Sequence, residues 1–260
     1  SNGSPILFLG GVMKEVTADT VAQITRNLAD FGYEGLTIEQ VQAEVDKSVQ
    51  GEGLLTGTDS VFVRASGCNL RCWYCDTPYT SWKPTGNDLS VNDIVQAVTQ
   101  WDLPHVVITG GEPMLFAELI PVCEKLESLG KHLTIETAGT LYLPVACDLM
   151  SISPKFSSSA PAPDDHPAWY GRHQRTRHQP EVIRRMISEY DYQFKFVIDS
   201  LADVDLVRSY LDEFPAIDVE HVYLMPQGVD QETLDEKSAW LEPLCAQSGW
   251  HFCPRMQIQW

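Results

Sequence analysis

Apolar runs of strand length recur along this chain, each ending on polar or glycine-rich residues: 61–66, 105–109, 132–136, 149–153, 192–198 and 221–225. Between most of them the apolar positions shift to a spacing of three and four, the period of an amphipathic helix. That spacing predicts helices over 90–101, 115–129, 181–190, 201–214 and 232–247, with Ser90 as an N-cap and Gly130 as a C-terminal glycine. Strands alternating with helices in this way predict an α/β fold with a parallel sheet, open or curled into a partial barrel. Function should then gather at the C-terminal strand ends. Further upstream, Val21, Ile24, Leu28 and Phe31 share one face of an amphipathic stretch that Gly32 follows.

Composition narrows the class of partner. With 43% hydrophobic residues in 260, the chain can bury one sizeable core. Its 18 basic residues face 36 acidic ones, a net charge of −18 that would repel phosphates, so direct nucleic-acid binding is not expected and a small-molecule substrate is. No apolar run approaches 18 residues and no signal-peptide pattern is present, so neither a membrane span nor export is expected. Seven cysteines, three of them in one loop, suit a reducing, cytoplasmic setting better than a disulfide scaffold.

That loop carries the chemistry. Cys68, Cys72 and Cys75 form a C-x3-C-x2-C run with no fourth cysteine beside it. A four-iron, four-sulfur cluster held by three thiolates leaves one iron open for a ligand, which implies chemistry at the cluster rather than plain electron carriage. Zinc and structural thiols are the alternatives, although a closed zinc site needs a fourth ligand that the neighbourhood lacks. Cys123, Cys147, Cys245 and Cys253 lie in apolar company and read as small buried hydrophobes. The strand at 105–109 feeds Gly110, Gly111, Glu112 and Pro113, a turn whose backbone carbonyls and carboxylate could approach a cationic ligand closely. Glycine also serves tight βα turns for geometry alone.

The cysteine spacing, with Tyr74 just before the last cysteine, resembles the signature of the radical S-adenosylmethionine superfamily. Gln50-Gly51-Glu52-Gly53, Arg64, Asp76-Thr77 and Ile135-Glu136-Thr137 further resemble the 7-carboxy-7-deazaguanine synthase family, from about Val45 onward. The resemblance implies a partial (β/α) barrel of the radical S-adenosylmethionine type over 45–260, preceded by an N-terminal extension at 1–44. It also implies a lyase that turns 6-carboxytetrahydropterin into the deazapurine used for queuosine. A 4Fe-4S cluster, S-adenosylmethionine and Mg2+ come with it, as do a homodimer and a reductase such as flavodoxin.

Carried over residue by residue, the resemblance places the cluster on Cys68, Cys72 and Cys75 and Mg2+ on Thr77. Arg64 would engage the substrate carboxylate as a catalytic residue together with Glu52, while Val49, Gln50, Gly51 and Thr109 contact the pterin. Tyr74, Gly110, Gly111, Glu112, Ser153, Pro154, Lys155, Pro226, Gln227 and Gly228 would surround S-adenosylmethionine, and Glu136 and Thr137 approach its ribose. An arginine ending a strand can instead pair with a structural acid. Relatives carry a substrate-facing histidine where Gln257 stands here; whether Gln257, Arg255 or another group replaces it is open. The segment 156–180 reads as a long irregular loop, either a lid, a partner contact or a solvated stretch. Its basic residues Arg172, Arg175 and Arg177 offer an acidic reductase a place to dock.

Overall fold

The computed structural model describes residues 40–259, so the amphipathic stretch expected around Val21 to Phe31 lies outside the described residues. Among the described residues nine strands form one open sheet in the order β3-β1-β2-β4-β5-β6-β7-β8-β9. They are β1 Gln40–Val49, β2 Asp59–Ala65, β3 Asn87–Ser90, β4 His105–Gly110, β5 His132–Thr137, β6 Leu149–Ile152, β7 Tyr192–Ile198, β8 Val222–Pro226 and β9 His251–Phe252. From β2 through β9 every pairing is parallel, whereas β1 runs antiparallel to both β2 and β3. The helices are α1 Val91–Thr99, α2 Leu119–Ser128, α3 Pro167–Thr176, α4 Pro180–Glu189, α5 Leu201–Glu213, α6 Gln231–Ser248 and α7 Met256–Gln259.

Side-chain alternation explains how the sheet divides its labour. In β2, β4, β7 and β8 one set of alternate positions is uniformly apolar: Val61 and Val63, Val106 and Ile108, Phe194 and Phe196, Val222 and Leu224. These pack with Ile94, Leu119, Leu126, Ile183, Val207 and Leu241 of the helices as one core. The other set, including Arg64, Thr109, Glu136, Ser151 and Lys195, faces the concave side and lines a cavity.

Local signals place the elements as expected. Ser90 accepts the Asp93 amide while the Asp93 carboxylate takes the Ser90 amide, a capping box that starts α1. Gly130 ends α2 at φ +73°, where its amide reaches the Glu127 carbonyl. Two findings differ from expectation. Strand β1 begins at Gln40, so it crosses the boundary expected at residue 44. The segment 156–180 is ordered chain: a 3-10 turn at Ser157–Ser159, helix α3 opened by Pro167, and the start of α4.

Candidate active site

The concave face and the loops at its C-terminal rim enclose a cavity of about 400 Å³. Cys68, Cys72, Tyr74, Cys75 and Thr77 stand on one side of it. Val49, Gln50, Gly51, Glu52, Arg64, Thr109, Gly110, Gly111, Ser153, Lys155 and Gln227 complete much of the wall. Pro154, Pro226, Gly228 and Glu112 do not reach it.

The Gly110-Gly111 turn has a packing reason to be glycine. A Cβ on Gly110 would meet the Ala65 carbonyl at 2.0 Å, and one on Gly111 would meet the Gly67 carbonyl at 2.1 Å. Both contacts are with backbone that cannot yield cheaply, so the cysteine loop lies against this turn because neither residue has a side chain. Amides complete the junction, Gly111 donating to Ala65 at 3.0 Å and Glu112 to Gly67 at 2.8 Å. The Glu112 carboxylate is spent inside the protein, contrary to its expected approach to a cationic ligand. It accepts from the Thr137 hydroxyl at 2.8 Å, the Ala138 amide at 2.8 Å and the Met114 amide at 3.1 Å, tying the ends of β4 and β5 together. Burial pushes its pKa up, and those three donors oppose the rise.

Two cysteines of the loop have a hydrogen-bond partner at hand. The Leu70 amide lies 3.4 Å from Cys68 Sγ and the Ser81 hydroxyl 3.1 Å from Cys75 Sγ. Burial pushes the Cys68 thiol up and the Cys72 thiol up to about 11, so a thiolate here needs cationic company, which iron supplies. Among the described residues no three Cys, His, Asp or Glu side chains gather closely enough to share one metal ion. A cubane asks for something different, with each thiolate taking its own iron. Three thiols on one loop, all lining the cavity, fit it.

The same cavity is lined by a chain of charges that sequence reasoning assembled incompletely. Lys195, 3% exposed in the middle of β7, reaches Glu136 Oε1 at 2.6 Å and Glu52 Oε2 at 3.1 Å. Glu136 also accepts from Thr109 at 2.8 Å. Glu52 lies beside Arg255 Nε at 3.3 Å and accepts from the Gln257 amide, while Arg255 continues to Asp76 and to the Gly228 carbonyl. Burial alone would raise the Glu52 pKa, but Lys195 and Arg255 overcome it and hold the carboxyl at about 2. Burial would likewise lower Lys195; Glu136 and Glu52 reverse the sign and hold it charged. Thus Arg255 and Gln257 both converge on Glu52. Lys195 went unnoticed in the sequence, although a lysine between Phe194 and Phe196 in a strand otherwise buried was the available signal.

Arg64 lines the cavity, with its guanidinium 4.8 Å from the Phe62 ring centroid and its Nε 3.4 Å from Asp46 Oδ1. Among the described residues Asp46 makes no hydrogen bond through that oxygen, and the pairing leaves the guanidinium fork open. Gly51 and Gly53 hold the β1–β2 hairpin against the far end of the chain. A Cβ on Gly51 would strike the Gln257 side chain and amide, and the Gly51 carbonyl accepts the Met256 amide at 3.1 Å. Thr77 stands on the wall with its hydroxyl 3.8 Å from Cys75 Sγ. Lys155 donates to the Ser153 carbonyl and hydroxyl, both at 2.7 Å.

Comparison with known proteins agrees with this geometry. The Radical SAM superfamily model matches residues 62–165. The 7-carboxy-7-deazaguanine synthase of Rhodopirellula baltica is 46% identical over 222 residues, covering 84% of this chain and 85% of that protein. The one of Halobacterium salinarum is 40% identical over 225 residues, covering 83% and 88%. QueE from Escherichia coli shares the fold, with a TM-score of 0.63 at 21% identity over 88% of this chain and 97% of that one. With three thiols on one wall and the Gln50-to-Gly53 hairpin on another, this chain belongs to the 7-carboxy-7-deazaguanine synthase family of the radical S-adenosylmethionine superfamily.

Proposed function

We propose that the chain converts 6-carboxy-5,6,7,8-tetrahydropterin into 7-carboxy-7-deazaguanine with loss of ammonia, as a radical S-adenosylmethionine carbon-nitrogen lyase. One observation supports this reading above the others: the three-cysteine loop and the Gln50-to-Gly53 hairpin face the same cavity. When bound, the 4Fe-4S cluster and S-adenosylmethionine supply the 5′-deoxyadenosyl radical that abstracts hydrogen from the substrate.

In this reading Cys68, Cys72 and Cys75 hold the cluster and leave one iron open. Tyr74, Gly110, Gly111, Ser153, Lys155 and Gln227 would line the S-adenosylmethionine space, with Pro154, Pro226 and Gly228 beside them in the chain. Arg64 grips the substrate carboxylate through its open fork, and Val49, Gln50, Gly51 and Thr109 edge the ring. Glu52 is expected to act as a permanently ionised acceptor, because a carboxyl held at about 2 is a poor base near neutrality. Thr77 would offer its hydroxyl to magnesium, which would hold and polarise the substrate carboxylate; the Asp76 carboxylate beside it is taken by Arg255.

The partners follow from chemistry at the rim. Trp73, 51% exposed beside the cysteines, and the cations of α3 suit an acidic reductase such as a flavodoxin. A homodimer in a cytoplasmic setting completes the proposal; no described helix is long and apolar enough to cross a membrane. The test is anaerobic reconstitution with iron, sulfide, S-adenosylmethionine, magnesium, reductant and 6-carboxytetrahydropterin, read by ultraviolet absorbance and mass. The expected result is the deazapurine. Cleavage of S-adenosylmethionine with no deazapurine at any pterin concentration would assign a different radical activity, such as activation of a protein glycine.

A further inference from the structure

Strand β7 reaches the Gln50-to-Gly53 hairpin at two points. Lys195 takes Glu52 Oε2 at 3.1 Å. Two positions earlier, Gln193 is equally buried, and both ends of its carboxamide are used. Its Oε1 accepts the Leu54 amide at 2.8 Å, and its Nε2 donates to Ser151 Oγ on β6 at 2.9 Å. The carboxamide fills the space beside Gly53, where an added Cβ would meet Nε2 at 2.6 Å and Oε1 at 2.7 Å. Gly53 sits at φ +76°, a conformation that suits glycine, so chain and side chain close on each other there. Gln193 itself is not part of the cavity wall.

The spacing makes these two contacts act together. Gln193 and Lys195 alternate with buried Phe194, so they stand on one face of the strand, about 7 Å apart. Leu54 and Glu52 are also two residues apart, and they meet the strand in the opposite direction. One contact would fix a distance and leave the hairpin free to pivot; two fix its angle as well. Other braces come from elsewhere: the Gly53 amide donates to Cys253 Sγ at 3.1 Å, and the Gly51 carbonyl accepts the Met256 amide at 3.1 Å. Both depend on the segment that follows the short strand β9. Gln193 and Lys195 instead belong to a strand paired on each side, with β6 and β8, and so offer the hairpin a fixed reference.

We propose that Gln193 is a positioning residue for the pterin: with Lys195 it forms a two-point grip that holds the hairpin at the angle from which Val49, Gln50 and Gly51 meet the substrate. The proposal rests on the reading of those three residues as the pterin's edge. Without Gln193 the hairpin visits pivoted states, and only a fraction of the molecules presents the complete wall. Apparent affinity falls by that fraction, while saturating pterin restores the competent population. The S-adenosylmethionine side should not respond, because the cysteine loop and the Gly110-Gly111 turn are tied to each other and to β2 through the Gly67 and Ala65 carbonyls.

The experiment uses the full chain reconstituted anaerobically and compares wild type, Gln193→Met, Gln193→Ala and Gln193→Glu. Methionine keeps the length and volume without the hydrogen bonds; glutamate keeps an oxygen for the Leu54 amide and a second one for the Ser151 hydroxyl. Three readouts are taken: KM and kcat for 6-carboxytetrahydropterin, KM for S-adenosylmethionine with its substrate-free cleavage, and amide hydrogen exchange at Leu54. Gln193→Met is expected to raise the pterin KM by roughly 5 to 20-fold with kcat within about twofold of wild type. It should leave both S-adenosylmethionine readouts unchanged and speed exchange at Leu54 but not in β4 or β5. Gln193→Glu should recover most of the wild-type KM, which a role in filling space alone would not predict. Gln193→Ala carries the same expectations if Gln193→Met fails to fold. An unchanged pterin KM, an equal rise in both KM values, or unchanged exchange at Leu54 would overturn the grip. A wild type that makes no deazapurine would overturn the reading of the pterin site, and the role of Gln193 with it, even where exchange at Leu54 responds.

Discussion

Lys195→Met would remove one charge from the middle of the network while keeping most of the stem's volume. Removing one member of a buried ion pair costs about 3 to 5 kcal/mol, because the partner stays buried and charged. Two partners are stranded here, but neither is left bare. Glu52 keeps Arg255 and Gln257, and Glu136 keeps Thr109 with a side chain 31% exposed. The loss should therefore fall near or below the low end, about 2 to 3 kcal/mol. At about 2 to 4 °C per kcal/mol for a chain of this size, Tm should drop by roughly 4 to 12 °C at pH 7. The pH dependence identifies the cause. Glu52 is held at about 2 in the folded protein against an ordinary value of 4.5, so its stabilisation is complete above 4.5 and is lost as pH falls toward 2. Without Lys195 the folded value rises, that contribution shrinks, and the gap between wild type and variant should narrow in acid. Thermal melts of wild type, Lys195→Met and Lys195→Met/Glu136→Gln from pH 7 to pH 3 measure this, with the double variant recovering part of the loss. Equal Tm values at pH 7, or a gap that stays constant with pH, would refute the electrostatic account.

Three further outcomes are expected. Arg64→Ala should cut turnover at subsaturating pterin by roughly 10 to 100-fold, from charge-assisted bonds worth about 1.5 to 3 kcal/mol each, and should leave substrate-free cleavage of S-adenosylmethionine intact; equal loss of both activities would make Arg64 structural. Magnesium should raise product formation several-fold, with Thr77→Ser keeping most of the response and Thr77→Ala blunting it; indifference to the ion in wild type would remove the metal site. Gly111→Ala should push the cysteine loop away from the turn and lower iron retention, since the added Cβ meets backbone at 2.1 Å; iron content equal to wild type would show that the loop can shift without harm.

The parallel strands β2 and β4 to β8 were legible because their apolar positions repeat cleanly, and β7 falls on the expected 192–198, whereas the two-residue β9 was too short to show. Strand β1 was missed even though Val41, Ala43 and Val45 alternate with Gln42, Glu44 and Asp46. It pairs antiparallel with β2 and β3, one strand in from the edge of a sheet that otherwise announces itself through buried runs. Helix α3 carries little apolar signal, with Gly171 and three basic residues in its ten; it is built around buried His173 and Trp169's contact with Arg71, which no periodicity reveals. The cysteines, glycines and Arg64 were readable as motifs. The charged network was not, because Lys195, Glu52 and Arg255 meet only after the sheet curls and brings together residues about 60 to 200 positions apart.

The way Arg255 joins the site bears on how the protein opens. It contacts Glu52 across 203 positions and Asp76 across 179, yet the backbone that carries it hangs from β9, a strand of two residues. Loop closure over such distances is entropically costly, and few ladder bonds repay it locally. Release of 253–259 would thus dismantle one wall of the cavity while β2 to β8 stayed paired. Amide hydrogen exchange should find the Met256 amide, which donates to Gly51, in a less protected unit than β4 or β5. A ligand that bridges the hairpin and the cysteine loop should slow exchange at Met256 without touching it, since closing the hairpin side of the cavity also clamps the strand end that lies farthest away in sequence.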